Sequence, residues 1–226
     1  MELMVAVSIF LGLLAIVFFF FQFGARAFRS ALQKQGVQSD ALRVMDSLQA
    51  DFRRTTAPSV LIRSRQRTVA GVAVGRDAVS FSSLKDWSNP HDSDNFDLIT
   101  AQPKWNRYWV YYATQNQDRG SLLRVRLDPS PPPVAPLPLT LAEFSAVLQD
   151  NPNANLYQGG RPTTSTLCTN VYAFEFRPPD HGEYRLVLKL REKRAPRPGQ
   201  GRMVEAEDTY EIVTSLRAEN TYPQDS

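Results

Sequence analysis

The stretch Leu3–Phe21, which reads LMVAVSIFLGLLAIVFFFF, decides how this chain is organised. It carries no charged residue, and only Ser8 and Gly12 interrupt its apolar side chains. As a helix it would be roughly 28 Å long at about 1.5 Å per residue, close to the ~30 Å hydrocarbon core of a bilayer. A buried core helix of this length would carry polar positions, and a cleaved signal peptide would have a shorter apolar region preceded by Lys or Arg. The stretch therefore predicts a membrane-spanning helix.

Glu2 stands directly before this apolar run. A carboxylate at the edge of a bilayer is costly unless it is neutralised or paired, so an ionisable residue there is a functional candidate. The string ELMVAVSI at residues 2–9 resembles the N-terminal segment of type IV pilins and type II secretion pseudopilins. Glu2 matches the glutamate that stands a few residues into the mature chain of that family. The resemblance extends to about Gly24.

In that family a short basic leader ends in Gly and is followed by Phe or Met, Thr and Leu before the glutamate. Here Met1 directly precedes Glu2, and we expect the coding sequence to continue upstream in frame and to encode such a leader. Arg26, Arg29 and Lys34 follow the apolar run, and the positive-inside rule alone would keep that side in the cytoplasm. The resemblance implies the opposite orientation, which a basic leader would favour.

From Gly24 onward the helical pattern becomes amphipathic. Pro58 ends it, so we predict one continuous helix to about Arg54. We divide this helical region into a transmembrane and assembly helix at 1–23 and an amphipathic continuation at 24–56. The apolar side chains recur at steps of three to five residues: Phe28, Leu32, Val37, Ala41, Met45, Leu48 and Phe52.

The two ends of this apolar stripe are expected to have different neighbours. The first part needs a partner because an apolar stripe exposed to water promotes aggregation. The resemblance implies that this partner is the helix of another subunit, with assembly contacts at Glu2, Leu3, Val5, Phe10 and Phe28. The second part is expected to pack on the chain's own sheet through Ala41, Met45, Leu48 and Phe52.

Residues 57–226 predict a β-rich globular domain with a proline-rich connector at 128–138. We expect strands at 59–63, 68–74, 78–82, 105–114, 121–127, 170–177, 184–191 and 210–217. Turns are expected at Gly75–Asp77 and Pro178–Gly182, and a loop at 151–166. Thr140 and Glu143 predict a capping box that opens a short helix with Leu141, Phe144, Val147 and Leu148 on one face. The fold class is therefore α+β and pilin-like, a long N-terminal helix packed on a C-terminal antiparallel β-sheet.

The clustering of basic residues leaves a second function, DNA binding, open. The net charge is +3, and Arg63, Arg65 and Arg67 alternate, so they would share one face of a strand. A second basic stretch contains Arg185, Lys189, Arg191, Lys193, Arg194 and Arg197. Some pilins of the family serve DNA uptake, so a DNA-binding minor pilin is an alternative. In the leading interpretation a nucleic-acid partner is not expected, because acidic residues lie close to the second stretch: Glu183, Glu192, Glu205, Glu207 and Asp208.

The sequence carries no pattern typical of catalysis. His91 and His181 fall in predicted loops, and Cys168 is the single cysteine, so it forms no intrachain disulfide. The acidic residues at 91–97 place Phe96 where an EF-hand needs an oxygen ligand, which leaves calcium binding there undecided. We expect no enzymatic activity, no catalytic residue, no metal site and no cofactor.

The resemblance implies a minor pilin or pseudopilin of a type II secretion or type IV pilus system. Such a subunit is a single-pass protein of the bacterial inner membrane, with its C-terminal domain in the periplasm or outside the cell. Its partners are other pseudopilins or minor pilins, and prepilin peptidase if an upstream leader exists. The aromatic segment 105–114 and the Phe-Glu-Phe segment at 174–176 are also similar to the larger J-type minor pseudopilins. A plain membrane-anchored domain remains a further alternative.

Overall fold

The computed structural model describes residues 2–87, 93, 95–97, 99, 102–116, 118–131, 133, 135–151, 157–159, 162–193 and 207–219, with the backbone alone at 2, 192, 193, 207 and 208. Helix α1 runs without a break over Glu2–Arg53, which confirms the predicted end at about Arg54. It continues through Gly24 and Gly36, since the helix requires no special backbone angle there. The chain divides into two compact units, Met1–Ser39 and Asp40–Ser226, so α1 contributes to both.

The second unit is built on a curled seven-stranded antiparallel sheet in the order β1-β4-β5-β6-β7-β8-β9, with a separate hairpin, β2-β3. A short 3-10 helix, Ala57–Ser59, connects α1 to the first strand. The predicted α+β class is confirmed. The strands are β1 (Leu61–Arg63), β2 (Gln66–Val69), β3 (Val72–Gly75), β4 (Ala78–Ser83), β5 (Arg107–Ala113), β6 (Gly120–Leu127), β7 (Thr163–Asp180), β8 (Glu183–Lys193) and β9 (Glu207–Arg217).

Strands β5 and β6 follow the predicted pattern. They pair antiparallel, with Trp109 opposite Arg126 and Tyr111 opposite Arg124. Because side chains alternate between the faces of a strand, Tyr108, Val110 and Tyr112 lie together on one face of β5. Tyr111 lies on the opposite face, where it meets α1.

The short helix α2, Leu141–Val147, covers the face of the sheet that carries Tyr108 and Tyr112. It begins with the predicted capping box, in which the Thr140 hydroxyl accepts from the backbone N–H of Glu143 and the Glu143 carboxylate accepts from the backbone N–H of Thr140. Phe144 is fully buried. Val147 is buried as well, whereas Leu141 in the first turn is 68% exposed.

Two predictions in the segment 66–77 were wrong. The single strand expected at 68–74 is a hairpin that turns at Ala70–Gly71, where both residues have positive φ. The expected turn at Gly75–Asp77 is instead the passage from β3 to β4, which belong to different sheets. There Arg76 forms a parallel bridge with Phe174 of β7.

The hairpin β7–β8 is longer than predicted. Strand β7 begins at Thr163, inside the segment expected to be a loop, and continues through both prolines to Asp180. The turn is therefore confined to His181–Gly182, both at positive φ. Strand β9 pairs with β8 over its whole length and forms one edge of the sheet. The described residues of the proline-rich connector at 128–138 lie outside helices and strands.

Candidate functional site: helix α1 and its seat on the sheet

The first unit exposes its apolar side chains. Leu3 is 80% exposed, and Val5, Phe10 and Phe28 are each more than half exposed. In the described part of the chain, α1 is the one helix long and apolar enough to cross a membrane, with a mean hydropathy of 2.9 in its most apolar window. These side chains therefore favour either the hydrocarbon of a bilayer or the apolar surface of another protein.

Glu2 is the first residue of α1. Its backbone belongs to the helix, whereas its side chain lies outside the described part of the structure. Its proposed role in assembly stays a prediction.

In the second unit, α1 buries the four residues predicted to pack on the sheet. Ala41, Leu48 and Phe52 have no exposed surface, and Met45 is 7% exposed. Val44 is also fully buried, although it was not among the predicted contacts. Val44 lies three residues after Ala41 and four before Leu48, on the same face of the helix. This spacing was the signal that could have identified Val44 as a packing residue.

Phe52 is the aromatic centre of this packing. Its ring lies 5.2 Å from Phe81 on β4 and 5.1 Å from Tyr184 on β8, in edge-to-face geometry. Phe176 on β7 completes the cluster at 5.7 Å. One residue of the helix thus contacts three strands of the curled sheet, and aromatic pairs at these distances stabilise packing beyond the area they bury.

Asp51 is the polar counterpart of Phe52. It is an acidic residue of an amphipathic helix, yet it is only 8% exposed. Its Oδ2 accepts a hydrogen bond from the Tyr111 hydroxyl at 2.5 Å and forms an ion pair with Arg124 at 2.6 Å. Burial, followed by the neighbouring Asp51 carboxylate, raises the pKa of Tyr111 well above its ordinary value. The hydroxyl therefore stays protonated and donates.

Arg124 also stacks on Trp109 of β5, with its guanidinium carbon 3.8 Å from the ring centre. Arg107 approaches the same ring at 5.6 Å and pairs with Asp128 at 2.8 Å. The guanidinium groups around Trp109 are thus held by carboxylates, which fixes the ring and its neighbours on the side of β5 that meets α1.

Arg76 is fully buried at the passage between β3 and β4. Its guanidinium donates to the carbonyls of Thr114 at 2.7 Å, Asp118 at 2.5 Å and Val171 at 3.2 Å. The neighbouring Asp77 carboxylate accepts from two further backbone N–H groups. These two side chains tie the β2–β3 hairpin to the main sheet, since a buried charge requires such hydrogen bonds.

Cys168 and His181, the described candidates for catalysis, do not form a common site. Cys168 on β7 is buried, and burial raises the pKa of its thiol to about 12. His181 lies at the exposed tip of the β7–β8 hairpin. Among the described residues there is no group of three potential metal ligands. His91, Asp92 and Asp94 of the acidic segment 91–97 lie outside the described residues.

The three alternating arginines do not share one strand face, which corrects the prediction. Arg63 ends β1, Arg67 lies in β2, and Arg65 lies between these strands. Arg65 is paired with Asp150 at 4.0 Å and Arg67 with Asp118 at 3.8 Å. In the second basic stretch, Lys189 pairs with Glu211 of β9 and Arg191 stacks on Tyr172, whereas Arg194 and Arg197 lie outside the described residues.

No family model, curated protein or solved structure matches this chain.

Proposed function

We propose that this protein is a minor pilin or pseudopilin, a subunit of a type II secretion or type IV pilus system that assembles through its N-terminal helix. The observation that carries the proposal is that one uninterrupted helix has two different apolar surfaces. Along Leu3–Phe28 its apolar side chains are exposed, whereas Ala41, Val44, Met45, Leu48 and Phe52 are buried in the second unit.

The exposed surface supports assembly by an argument from solvation. Leu3–Phe21 is apolar on every side, so transfer from water into a bilayer or a bundle of similar helices is favourable. Phe28 lies about 10 Å beyond the end of that run at about 1.5 Å per residue, outside the bilayer core. It is 65% exposed, and the helix of a neighbouring subunit would cover it.

Glu2 gives the assembly its polar contact in this proposal. A carboxylate next to an apolar helix is costly in a membrane unless a positive group compensates it. In the family that the N-terminal segment resembles, this group is the N-terminal amine of a neighbouring subunit. The same resemblance places the protein in the bacterial inner membrane, with the C-terminal domain exported.

The proposal can be tested by photo-crosslinking in the native host. A photoreactive phenylalanine analogue replaces Phe10 or Phe28 in one variant each, and Lys85, exposed on the second unit, in a control. We expect Phe10 and Phe28 to crosslink to proteins that carry a similar N-terminal apolar helix, as identified by mass spectrometry. If both positions yield lipid adducts alone, the protein is a plain membrane-anchored domain and the proposal is wrong.

A further inference from the structure

Three cations that follow the apolar run carry no acidic partner. Arg26, Arg29 and Lys34 are exposed, and no salt bridge among the described residues includes them. Arg26 donates one hydrogen bond, to the amide oxygen of Gln22 at 3.2 Å. No acidic residue occurs between Glu2 and Asp40, and within the described ranges no carboxylate pairs with these three positive charges.

Several cations of the second unit have acidic partners. Arg124 lies 2.6 Å from Asp51, Arg107 lies 2.8 Å from Asp128, and Lys189 lies 3.2 Å from Glu211. The sequence supplies no carboxylate along the helix between the apolar run and Asp40.

The positions of Arg26 and Arg29 along α1 match the polar surface of a bilayer, whereas Lys34 lies roughly 20 Å beyond Phe21. At about 1.5 Å per residue, Arg26 lies roughly 7 Å and Arg29 roughly 12 Å beyond Phe21, where the apolar run ends. The polar layer on each side of the hydrocarbon core is about 5–8 Å thick. Side chains on a helix lean toward its N-terminus, and long cationic side chains extend toward the interface, so both guanidinium groups reach the level of the lipid phosphates.

Phe28 and Leu32 lie on the side of the helix opposite the cations, whereas Phe23 and Val37 share the cationic side. At about 100° per residue, Arg26, Arg29 and Lys34 span an arc of roughly 140°. Phe28 and Leu32 are centred about 150° from the middle of that arc. A neighbouring helix that covers Phe28 and Leu32 therefore leaves the cationic side free.

We propose that Arg26 and Arg29 form a binding surface for the headgroups of anionic phospholipids, and that Lys34, farther from the bilayer, strengthens the attraction at longer range. The chemistry is that of phosphate recognition, because guanidinium groups bind phosphate oxygens bidentately and lysine adds a point charge. A leaflet surface rich in anionic lipid attracts such juxtamembrane cations. The surface rests on the proposed membrane insertion of α1 and is independent of filament assembly.

The test measures which lipids the full-length protein retains. Purified protein in mild detergent is incubated with equimolar phosphatidylglycerol and phosphatidylcholine of the same acyl chains, repurified, and its bound lipid is quantified by mass spectrometry. We expect the wild type to retain phosphatidylglycerol over phosphatidylcholine by at least about threefold. The variant R26Q/R29Q/K34Q should retain the two lipids equally.

A matched variant controls for net charge. R54Q/K85Q/R185Q removes the same three charges from exposed positions of the second unit and should keep the wild-type preference. Equal retention by the wild type, an unchanged preference in R26Q/R29Q/K34Q, or an equal loss in both variants would each overturn the proposal. Resistance of each variant to alkaline extraction from vesicles reports membrane insertion separately. Crosslinking at Phe28 reports assembly, so failure of the proposed function is distinguishable from failure of lipid binding.

Discussion

The Tyr111 hydroxyl donates a hydrogen bond to the Asp51 carboxylate at 2.5 Å, and this contact joins the last turn of α1 to the centre of the sheet. Both residues are buried, and Arg124 neutralises the carboxylate from β6. The helix is thus held at this end by a polar contact in addition to the aromatic packing of Phe52. A buried polar contact requires one arrangement of its groups, because each alternative leaves a charge unpaired.

The first prediction concerns this contact. Replacing Tyr111 with Phe removes the donor and leaves a buried carboxylate with one partner fewer. We expect the free energy of unfolding of the second unit to fall by about 1.5–3 kcal/mol. Denaturant unfolding of the full chain in detergent, followed by the fluorescence of Trp87, Trp105 and Trp109, measures it.

Tyr172→Phe is the control for this prediction. No hydrogen bond of the Tyr172 hydroxyl is found among the described residues, so its loss should change the free energy of unfolding by less than about 0.5 kcal/mol. An equal cost for both substitutions would show that the Tyr111–Asp51 contact adds nothing to stability.

Local patterns predicted much of this fold. The helical spacing of Ala41, Leu48 and Phe52 identified the buried side of α1, and strict alternation identified β5 and β6. The capping box at Thr140 located α2. Each of these signals lies within a few residues of the element it describes, and that is why the sequence alone reveals it.

The partners of Asp51 and Arg76 could not be predicted in this way. Tyr111 is separated from Asp51 by 60 residues, and nothing near Asp51 distinguishes it from an exposed helix acid. Arg76 looked like a polar turn residue beside Gly75, yet the curling of the sheet surrounds it with carbonyls from β7 and from the loop before β6. The β2–β3 turn was not predicted because Ala70 occupies one of its positive-φ positions, and such positions are usually marked by Gly or Asn.

The second prediction concerns alkaline pH. Burial raises the pKa of Cys168 from 9.0 to about 12, and those of Tyr108 and Tyr112 from 10.0 to about 12. The unfolded chain therefore loses these protons at lower pH than the folded chain does. Their contribution to stability is complete below about pH 9 and is lost as the pH rises toward 12.

Cys168 makes the largest single contribution of these three groups between pH 9 and 10, because its pKa in the unfolded chain is the lowest. It should lower the free energy of unfolding by about 1 kcal/mol over that interval, as measured by denaturant unfolding. Cys168→Ala should reduce this early slope, leaving the part due to Tyr108 and Tyr112, and keep the steeper fall above pH 10. An identical slope in both proteins between pH 9 and 10 would contradict the prediction.

The third prediction tests the close packing around Arg76. A Cβ atom at Gly120 would lie 2.8 Å from the Thr114 carbonyl oxygen and 3.0 Å from a guanidinium nitrogen of Arg76. We expect Gly120→Ala to lower the free energy of unfolding of the second unit by about 1–3 kcal/mol. Gly36→Ala, which meets nothing within 4 Å in the first unit, should leave that unfolding transition unchanged. A neutral Gly120→Ala would mean that the loop before β6 moves away from Arg76 without cost.

The fourth prediction follows from the proposed assembly. Glu2→Ala removes a charge that the bilayer disfavours, so membrane insertion should be retained. The variant should lose the compensating contact with a neighbouring subunit, and its crosslinks through a photoreactive group at Phe10 should fall several-fold. Glu2→Asp keeps the charge and should retain part of the crosslinking. Wild-type crosslinking by Glu2→Ala would show that the carboxylate has no part in assembly.

The last prediction separates the two parts of α1 by using the single cysteine as a reporter. Cys168 is buried in the native sheet, so a thiol reagent should label it slowly in the folded full-length protein and rapidly once the second unit unfolds. Leu48→Asp and Met45→Asp each place a charge against the sheet, where both positions are buried. Burying an unpaired charge there costs several kcal/mol, about enough to unfold a marginally stable domain, so labelling should become rapid.

Phe28→Asp places the same charge at an exposed position of the first unit. Labelling of Cys168 should therefore remain slow, while crosslinking to other subunits through a photoreactive group at Phe10 should decrease. The two readouts must diverge if one part of the helix packs on the chain's own sheet and the other meets a partner. Slow labelling in Leu48→Asp would mean that α1 does not hold the sheet together. Unchanged crosslinking in Phe28→Asp would mean that its exposed apolar surface has no partner, because a buried contact could not accept the charge without loss.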